Sequence, residues 1–91
     1  MEFEWDQDKA ARNLTKHKVS FNEAATVFGD LLSMTYPDPE HSVDEDRYVT
    51  IGMSGRDRVL IISYTDRDGR IRLISARKAT PRERKFYEEE S

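Results

Sequence analysis

The stretch VLIISYTDRDGRIRLISARKATPRER, residues 59–84, decides the fold predicted for this chain. It opens with branched apolar residues, which favour a β-strand because they fit a pleated surface. The sequence DRDG follows as a turn signature, in which Gly69 adopts a positive φ without steric cost. Residues 70–77 then largely alternate polar and apolar side chains, as in a strand with one buried face. Two strands around a short glycine-containing loop predict a β-hairpin.

A helix is predicted to begin directly after this hairpin. Thr80 is the expected N-cap, Pro81 the first helical residue, and Glu83 completes a capping box three residues after the cap. The helix is expected to place Phe86 against the body of the protein. The hairpin therefore carries arginines to the N-terminus of a helix, and this region concentrates the chemistry of the chain.

Two amphipathic helices are predicted before the hairpin. The first covers residues 7–17 and has Leu14 on its inner stripe. Ser20 and Glu23 form a second capping box, which predicts a shorter helix over residues 21–28. Neither helix buries its apolar face alone, so both are expected to lie on a sheet.

Strands are predicted over residues 31–36 and 47–54, with a short edge strand near Phe3. The expected architecture is α+β, in a single domain over residues 1–91. Two N-terminal helices pack on one face of an antiparallel β-meander, and a C-terminal helix follows. The opposite face is expected to be open to a ligand and to carry four side chains, Tyr48, Thr50, Arg70 and Arg72.

The composition excludes several classes of protein. The 91 residues include no cysteine, which rules out disulfides, thiolate nucleophiles and Cys-ligated metals. The chain has no apolar run long enough to span a membrane, and its N-terminus lacks the apolar region of a signal peptide. A soluble, cytoplasmic protein without a membrane partner is therefore expected.

Charge is distributed unevenly along the chain. Residues 1–55 carry a net charge of −6, residues 56–85 a net charge of +6, and the last six residues −3. A phosphate backbone responds to local positive charge within a Debye length more than to the net charge of the protein. The basic segment therefore indicates either a nucleic-acid site or an ordinary solvated surface.

Metal and cofactor chemistry has little support in the sequence. His17 and His41 lie far apart, neither belongs to a metal-binding motif, and a glycine-rich phosphate loop is lacking. No metal and no cofactor are expected. Metal-free phosphate chemistry remains, because RNA is cleaved through its own 2′-hydroxyl when a protein positions the phosphate and moves protons.

Arg77 is the first candidate catalytic residue, because it lies where the last strand enters the final helix. A phosphate there would also meet the amides of the helix N-terminus. The alternative for Arg77 is a salt bridge to Glu83. Arg72 is expected either to contact phosphate on the open face or to form a cross-strand ion pair.

Two further side chains are candidates for proton transfer. Tyr64 would stack on a base or donate a proton, although a tyrosine in a strand more often belongs to the core. His41 is a side chain of the type that changes charge near neutral pH. The candidate RNA-binding residues are Arg47, Arg58, Arg70, Lys78 and Arg82. These proposals assume that the arginines gather at one anion-binding spot, and they lose their basis if each arginine is already paired with an acid.

Six motifs in this order resemble one family along nearly the whole chain. They are FEWD (3–6), KxxxNLxKH (9–17), VSFxEAATVF (19–28), DPEHS (38–42), RYVTIGMS (47–54) and ISARKATPRER (74–84). The combination resembles the BrnT toxin family. The resemblance implies a RelE-like fold and a ribonuclease toxin of a type II toxin–antitoxin module. It also implies a BrnA-like antitoxin, a ribbon-helix-helix dimer through which the complex binds operator DNA.

Two functions follow from the sequence. The first is a metal-independent endoribonuclease toxin that cleaves RNA and inhibits translation and growth, with the ISAR arginine at Arg77. The second is a non-catalytic interaction module, whose basic hairpin binds nucleic acid or an acidic partner. The acidic balance of this chain departs from the strongly basic toxins of related groups.

Overall fold

The structure is a computed structural model that describes residues 1–90, which form one mixed sheet and three α-helices. The strands are β1 (Glu2–Glu4), β2 (Met34–Pro37), β3 (Arg47–Met53), β4 (Val59–Arg67) and β5 (Arg70–Lys78). The helices are α1 (Gln7–His17), α2 (Phe21–Thr26) and α3 (Pro81–Glu90). Short 3₁₀ turns lie at Val27–Gly29 and Pro39–His41.

The strand order across the sheet is β1-β5-β4-β3-β2. Strands β2 to β5 form the predicted antiparallel meander, and β1 pairs with β5 in parallel. β1 and β2 lie at opposite edges of the sheet, and the segment that contains α1 and α2 crosses the sheet to connect them. The α+β class and the edge strand at Phe3 are confirmed.

Both faces of the sheet are packed against helices. Helices α1 and α2 cover one face over a core of nine buried residues, Val19, Phe21, Ala24, Val27, Leu60, Ile62, Tyr64, Leu73 and Ala76. Helix α3 covers part of the other face, where Tyr87 packs with Ile51, Val59 and Ile61. The prediction that Phe86 faces the body is wrong: Phe86 is exposed, and Tyr87 is buried. Tyr87 buries its ring while its hydroxyl donates to the Asp30 carboxylate, so the aromatic side chain with a polar tip takes the inner position.

The predicted open face is wrong for two of its four side chains. Tyr48 lies opposite Tyr64, and Thr50 lies opposite Ile62, so both point towards the helices α1 and α2. Thr50 is fully buried there. Arg70 and Arg72 lie on the opposite face, as predicted. The assignment failed because β3 carries residues suited to burial on both of its faces.

Two local predictions also need correction. Leu14 is half exposed rather than part of the core. Strand β2 begins at Met34, because the Asp30 side chain accepts a hydrogen bond from the Leu32 amide and holds the preceding residues in a turn. Leu31 is therefore left exposed in that turn.

Asn13 joins α1 to the sheet. Its Nδ2 donates to the carbonyl oxygens of Val19 at 2.9 Å and Ala76 at 2.8 Å. Its Oδ1 accepts from the Ala76 amide at 3.0 Å. Asn13 is buried, so these three backbone groups have no access to water that would replace the side chain.

We expect Asn13→Ala to lower the free energy of unfolding by at least about 2 kcal/mol, because it leaves several buried polar groups unpaired. Urea unfolding followed by circular dichroism measures this change. Asn22→Ala is the matched control, since Asn22 is an exposed helical residue and its replacement should change stability by less than about 0.5 kcal/mol. Equal effects of the two substitutions would contradict the role given to Asn13.

Candidate active site

A row of polar side chains crosses the half of the sheet that α3 does not cover. Glu4 on β1 lies opposite Arg72 on β5, Arg72 lies opposite Thr65 on β4, and Thr65 lies opposite Arg47 on β3. Directly opposed residues in neighbouring strands place their side chains on the same face. The row therefore brings together four residues whose positions in the sequence are far apart.

A cavity of about 320 Å³ lies at the Arg47 end of this row. Its floor is formed by Arg47 and Thr65, which are partly and fully buried, and its rim is the exposed segment that precedes β3. The rim residues are Glu40, His41, Val43, Asp44 and Glu45. Although carboxylates line the rim, no group of three His, Asp or Glu residues within residues 1–90 is arranged to hold a metal ion.

Two donors on the cavity floor lack hydrogen-bond partners in the part of the chain that the structure describes. They are the Thr65 hydroxyl and the Arg47 Nε, and both atoms are buried. Thr65 as a whole is only 3% exposed. Buried polar groups in proteins almost always have a partner, so a pair of orphan donors beside one cavity marks it as a candidate ligand site.

His41 stands on the rim of the same cavity. Its Nδ1 lies 2.9 Å from Asp38 Oδ2, and no other protein atom of residues 1–90 bonds to its ring. Ser42 fixes this turn to the sheet, because its hydroxyl donates to the Asp38 carbonyl oxygen and accepts from the Arg47 amide. A carboxylate on one ring nitrogen orients the imidazole and leaves Nε2 available for proton transfer.

Arg77 is held by Glu83. The guanidinium donates through both Nη atoms to the carboxylate, at 2.7 and 2.9 Å, which confirms the salt bridge considered as the alternative for this residue. Glu83 also accepts from the Thr80 amide and donates its own amide to the Thr80 hydroxyl, so the predicted capping box is confirmed. The bonds from Arg77, followed by those from Thr80, lower the pKa of Glu83 to about 2, against the opposing effect of burial.

Arginines of β5 pair with the acids of β1. Arg72 Nη1 donates to Glu4 at 2.9 Å, which confirms the cross-strand ion pair considered for it. Arg70 Nε donates to Glu2 at 3.0 Å. Both pairs are accessible to solvent, so a phosphate would meet these arginines by exchanging with a carboxylate.

Arg58 occupies a structural position away from the row. It donates from Nε and Nη2 to both oxygens of Glu23, and Nη2 also donates to the Lys18 carbonyl oxygen. Glu23 is buried and also accepts from the Ser54 hydroxyl. The bonds from Arg58, followed by that from Ser54, lower the pKa of Glu23, while burial opposes them. The guanidinium is thus committed to neutralising a buried carboxylate, and the prediction that Arg58 binds RNA does not fit its contacts.

Tyr64 belongs to the core. It stacks on Tyr48 with ring centroids 5.6 Å apart and meets the edge of Phe28 at 5.1 Å, on the face covered by α1 and α2. Thr65, the next residue, points to the opposite face with Arg72 and Arg47. Tyr64 therefore cannot share a site with these arginines, and its prediction as a catalytic residue is corrected by the alternation of side chains along β4.

The assumption that the arginines gather at one anion-binding spot is wrong. Arg77 and Arg72 lie on the same strand at opposite ends of the open face, and each is paired with its own acid. Arg47, Lys78 and Arg82 have no ion pair within residues 1–90, but only Arg47 lies on the row. The part of the chain that the structure describes therefore lacks the predicted cluster of unpaired arginines.

The family model for the ribonuclease toxin BrnT of type II toxin–antitoxin systems matches residues 5–83. The chain belongs to the BrnT family. Membership implies an RNA substrate and a protein antitoxin as partner. A crystal structure of the Brucella abortus ribonuclease toxin BrnT superposes with a TM-score of 0.70 at 20% identity, covering 88% of this chain and 97% of that chain. This likeness shows a shared α+β fold.

No curated protein matches the sequence at a significant level. Within residues 1–90, no helix is both long and apolar enough to cross a membrane. The RelE-like description of the fold stays a prediction.

Two residues of the site in this BrnT-family protein escaped the sequence analysis. Thr65 carries no motif of its own, and its importance comes from its register between Arg72 and Arg47. Asp38 was detectable, since an acid three residues before His41 within a proline-flanked turn is well placed to bond its ring.

We expect Glu83→Gln to lower the free energy of unfolding at pH 7 by about 1 kcal/mol, a value that allows for solvent screening of this partly exposed pair. The pKa of Glu83 falls from its ordinary value of 4.5 to about 2 in the folded protein. A lowered folded-state pKa contributes stability above pH 4.5 that is lost as the pH falls towards 2. The difference between wild type and variant in urea midpoints should therefore shrink over this range.

Glu89→Gln is the matched control for this prediction. Glu89 lies 3.9 Å from Lys85 in an exposed pair on the same helix, so its replacement should have little effect at any pH. A Glu83→Gln variant whose deficit stays constant from pH 7 to pH 2 would contradict the assignment of the pKa to this ion pair.

Proposed function

We propose that this protein is a metal-independent endoribonuclease toxin that cleaves RNA and thereby inhibits translation and growth. The observation that carries the proposal is the match of residues 5–83 to the ribonuclease toxin family. The site proposed for the reaction is the polar row with its adjoining cavity, because donors for phosphate and an oriented imidazole lie there together.

The reaction proposed here uses the RNA's own nucleophile. The 2′-oxygen attacks the neighbouring phosphorus while a base removes the 2′-proton, and the bond from phosphorus to the 5′-oxygen breaks as an acid protonates that oxygen. The products are a cyclic phosphate end and a free 5′-hydroxyl end. Such a reaction needs a positioned phosphate, positive charge beside its oxygens and a proton carrier.

Each requirement has a proposed residue. Within the row, Arg72 and Arg47 flank Thr65. They would bind phosphate oxygens, because guanidinium groups suit phosphate in charge and geometry. His41, oriented by Asp38, would transfer a proton through Nε2. Arg77 would contact RNA only after Glu83 releases it, so we give it a secondary role beside its structural one.

Further basic side chains would hold the flanking RNA. Arg70 lies beside Arg72 on the exposed face of β5, and Lys78 and Arg82 are exposed near the start of α3. Their contacts with phosphate would add affinity without sequence preference. Arg58 and Tyr64 have no role in the proposed site, because one neutralises buried Glu23 and the other is part of the core.

We expect His41→Ala to reduce the rate of RNA cleavage by the purified protein at least about a hundredfold, since proton transfer by a positioned side chain contributes about 10²–10⁴-fold. Cleavage of a labelled RNA measured on a denaturing gel gives this rate. Asp38→Asn should reduce the rate less, because the imidazole remains but loses its orienting charge.

The control is His17→Ala, which removes the other histidine of the chain at the end of α1. It should cleave RNA at the wild-type rate. The role of His41 is disproved if His41→Ala matches wild type. The whole proposal fails if the intact protein cuts no RNA and its induction does not slow growth, an outcome that favours a non-catalytic binding module.

We also propose a BrnA-like antitoxin as the protein partner, a ribbon-helix-helix dimer that links the toxin to operator DNA. The family's type II classification supports a protein antitoxin. In type II systems the partner acts by binding the toxin, so its effect should depend on stoichiometric complex formation.

We expect co-expression of a cognate BrnA-like antitoxin to restore growth and to yield a complex that elutes as one species. Size-exclusion chromatography with light scattering measures its composition. A growth defect that persists although the two proteins form a stable complex would contradict neutralisation by direct binding. The matched control is the same experiment with the inactive His41→Ala toxin, which should still form the complex.

A further inference from the structure

We propose that the cavity between the polar row and the segment before β3 is the seat of one phosphodiester group, bound by the Thr65 hydroxyl and Arg47 Nε. This inference rests on the proposed ribonuclease function and deepens it, because it assigns the phosphate to one cavity. It also gives a role to Thr65, which no sequence motif had identified.

The unpartnered donors carry the inference. Only 3% of the Thr65 surface is exposed, yet its hydroxyl bonds to no protein atom of residues 1–90. The Nε of Arg47, on the neighbouring strand, is also buried and has no hydrogen-bond partner within residues 1–90. The two residues that carry this N–H and O–H both line one cavity, and two donors of this kind are complementary to an acceptor with several oxygens, such as a phosphodiester.

The sheet register explains why the two donors act together. Thr65 lies directly between Arg72 and Arg47, each one strand away. Neighbouring strands are about 4.8 Å apart, so two guanidinium-bearing residues bracket the hydroxyl across a span of about 10 Å. A phosphate above Thr65 would therefore meet Arg47 on one side and, after exchange with Glu4, Arg72 on the other.

Glu45 is an anionic side chain that already lines this cavity. Its carboxylate accepts two bonds from Arg67, at 2.9 and 2.7 Å, and lines the same cavity. The pKa of Glu45 is lowered chiefly by the bonds from Arg67, against the opposing effect of desolvation, and the charges of Arg72 and Arg47 lower it further. Glu45 thus lies in the field of the same arginines that a phosphate would meet, and it would compete with the ligand.

The position of His41 agrees with this assignment. The imidazole stands on the rim of the cavity, opposite its buried floor. A phosphate bound in this cavity would share it with an imidazole whose Nε2 is not bonded to Asp38. The cavity volume of about 320 Å³ is at the low end of small-ligand sites, which are about 300–1,000 Å³.

Binding of small phosphates to the intact protein tests the inference without RNA cleavage. The probes are inorganic phosphate and a DNA dinucleotide, which lacks the 2′-hydroxyl and is not cleaved. Amide chemical shifts in a nitrogen–proton NMR titration give the dissociation constants. We expect shifts at residues 41–47 and 65, and weakening of binding by about tenfold in Thr65→Val, as for loss of one hydrogen bond to a charged group.

Two further variants separate binding from folding. Thr65→Val has nearly the shape of threonine and removes an unpaired buried hydroxyl, so its thermal midpoint should be equal to or above that of wild type. Arg47→Lys keeps the charge but removes the Nε donor, and it should also weaken binding by about tenfold. Glu45→Gln should act in the opposite direction and tighten binding by about threefold, because it removes the competing charge.

The charge control is Asp57→Asn, at the β3–β4 turn on the opposite end of the strands. Asp57 has a φ of 60°, a conformation that asparagine also adopts, so this variant removes one negative charge without strain. Its affinity for the probes should equal that of wild type. Equal tightening in Asp57→Asn and Glu45→Gln would show a general charge effect and overturn the assignment to the cavity.

Failure of the inference differs from failure of the proposed function. If Thr65→Val and Arg47→Lys bind both probes as wild type does while wild-type protein cleaves RNA, the cavity is not the phosphate seat and the ribonuclease remains. If the probes bind in a Thr65-dependent manner but no RNA is cleaved, the anion site stands and the proposed function is wrong.

Discussion

The alternation of side chains along β4 is the constraint on which the rest of this structure depends. β4 is the central strand, and helices pack on both faces of the sheet. Each residue of β4 therefore has a fixed side. Leu60, Ile62 and Tyr64 point to the core under α1 and α2, whereas Ile61 and Thr65 point to the face of α3. A shift by one residue would exchange the two sets and would move the Thr65 hydroxyl into the apolar core. An irregularity in the pairing with β5 between Ser63 and Tyr64 adds one residue to β5, so that Leu73 and Ala76, three residues apart, both reach the core while β4 keeps its alternation.

The ion pairs give the second level of organisation. Acids near the N-terminus meet arginines near the C-terminus, as Glu4 meets Arg72 and Glu23 meets Arg58. The separation of charge along the sequence therefore disappears in space, because β1 returns beside β5 and α2 packs near the β3–β4 turn. A basic segment in the sequence thus does not imply a basic surface. Arg47 has no ion pair within residues 1–90, and its Nε on the row has no hydrogen-bond partner there.

The segment before β3 turns this sheet into a candidate active site. Its 3₁₀ turn at Pro39–His41 is bonded through Asp38 and Ser42, which ties His41 to the start of β3. The same segment brings Glu45 beside the arginines of the sheet. The proposed proton carrier, the proposed phosphate donors and the competing carboxylate therefore come from one loop and three strands. The carboxylates on the cavity rim would repel the phosphates of RNA. RNA would therefore bind this acidic chain only where hydrogen-bond donors held in place by the fold outweigh that repulsion.

Local signals in the sequence determined the elements of this protein. The N-cap at Ser20, the capping box at Thr80 and the glycine turn act over two to four residues, so they were predictable without the fold. The predicted capping box at Ser20 forms only in part, because the Ser20 hydroxyl accepts from the Glu23 amide while the Glu23 carboxylate binds Ser54 and Arg58. The six ordered motifs likewise identified the family. Only the tertiary structure decided which face each residue of β3 occupies, since either alternation of that strand supplies residues suited to burial. It also decided that Arg77 and Arg72 are paired and that Arg47, Thr65 and Arg72 share a row. Strand register joins residues from separate parts of the chain, such as Glu4 with Arg72, and their spacing in the sequence does not indicate that they meet.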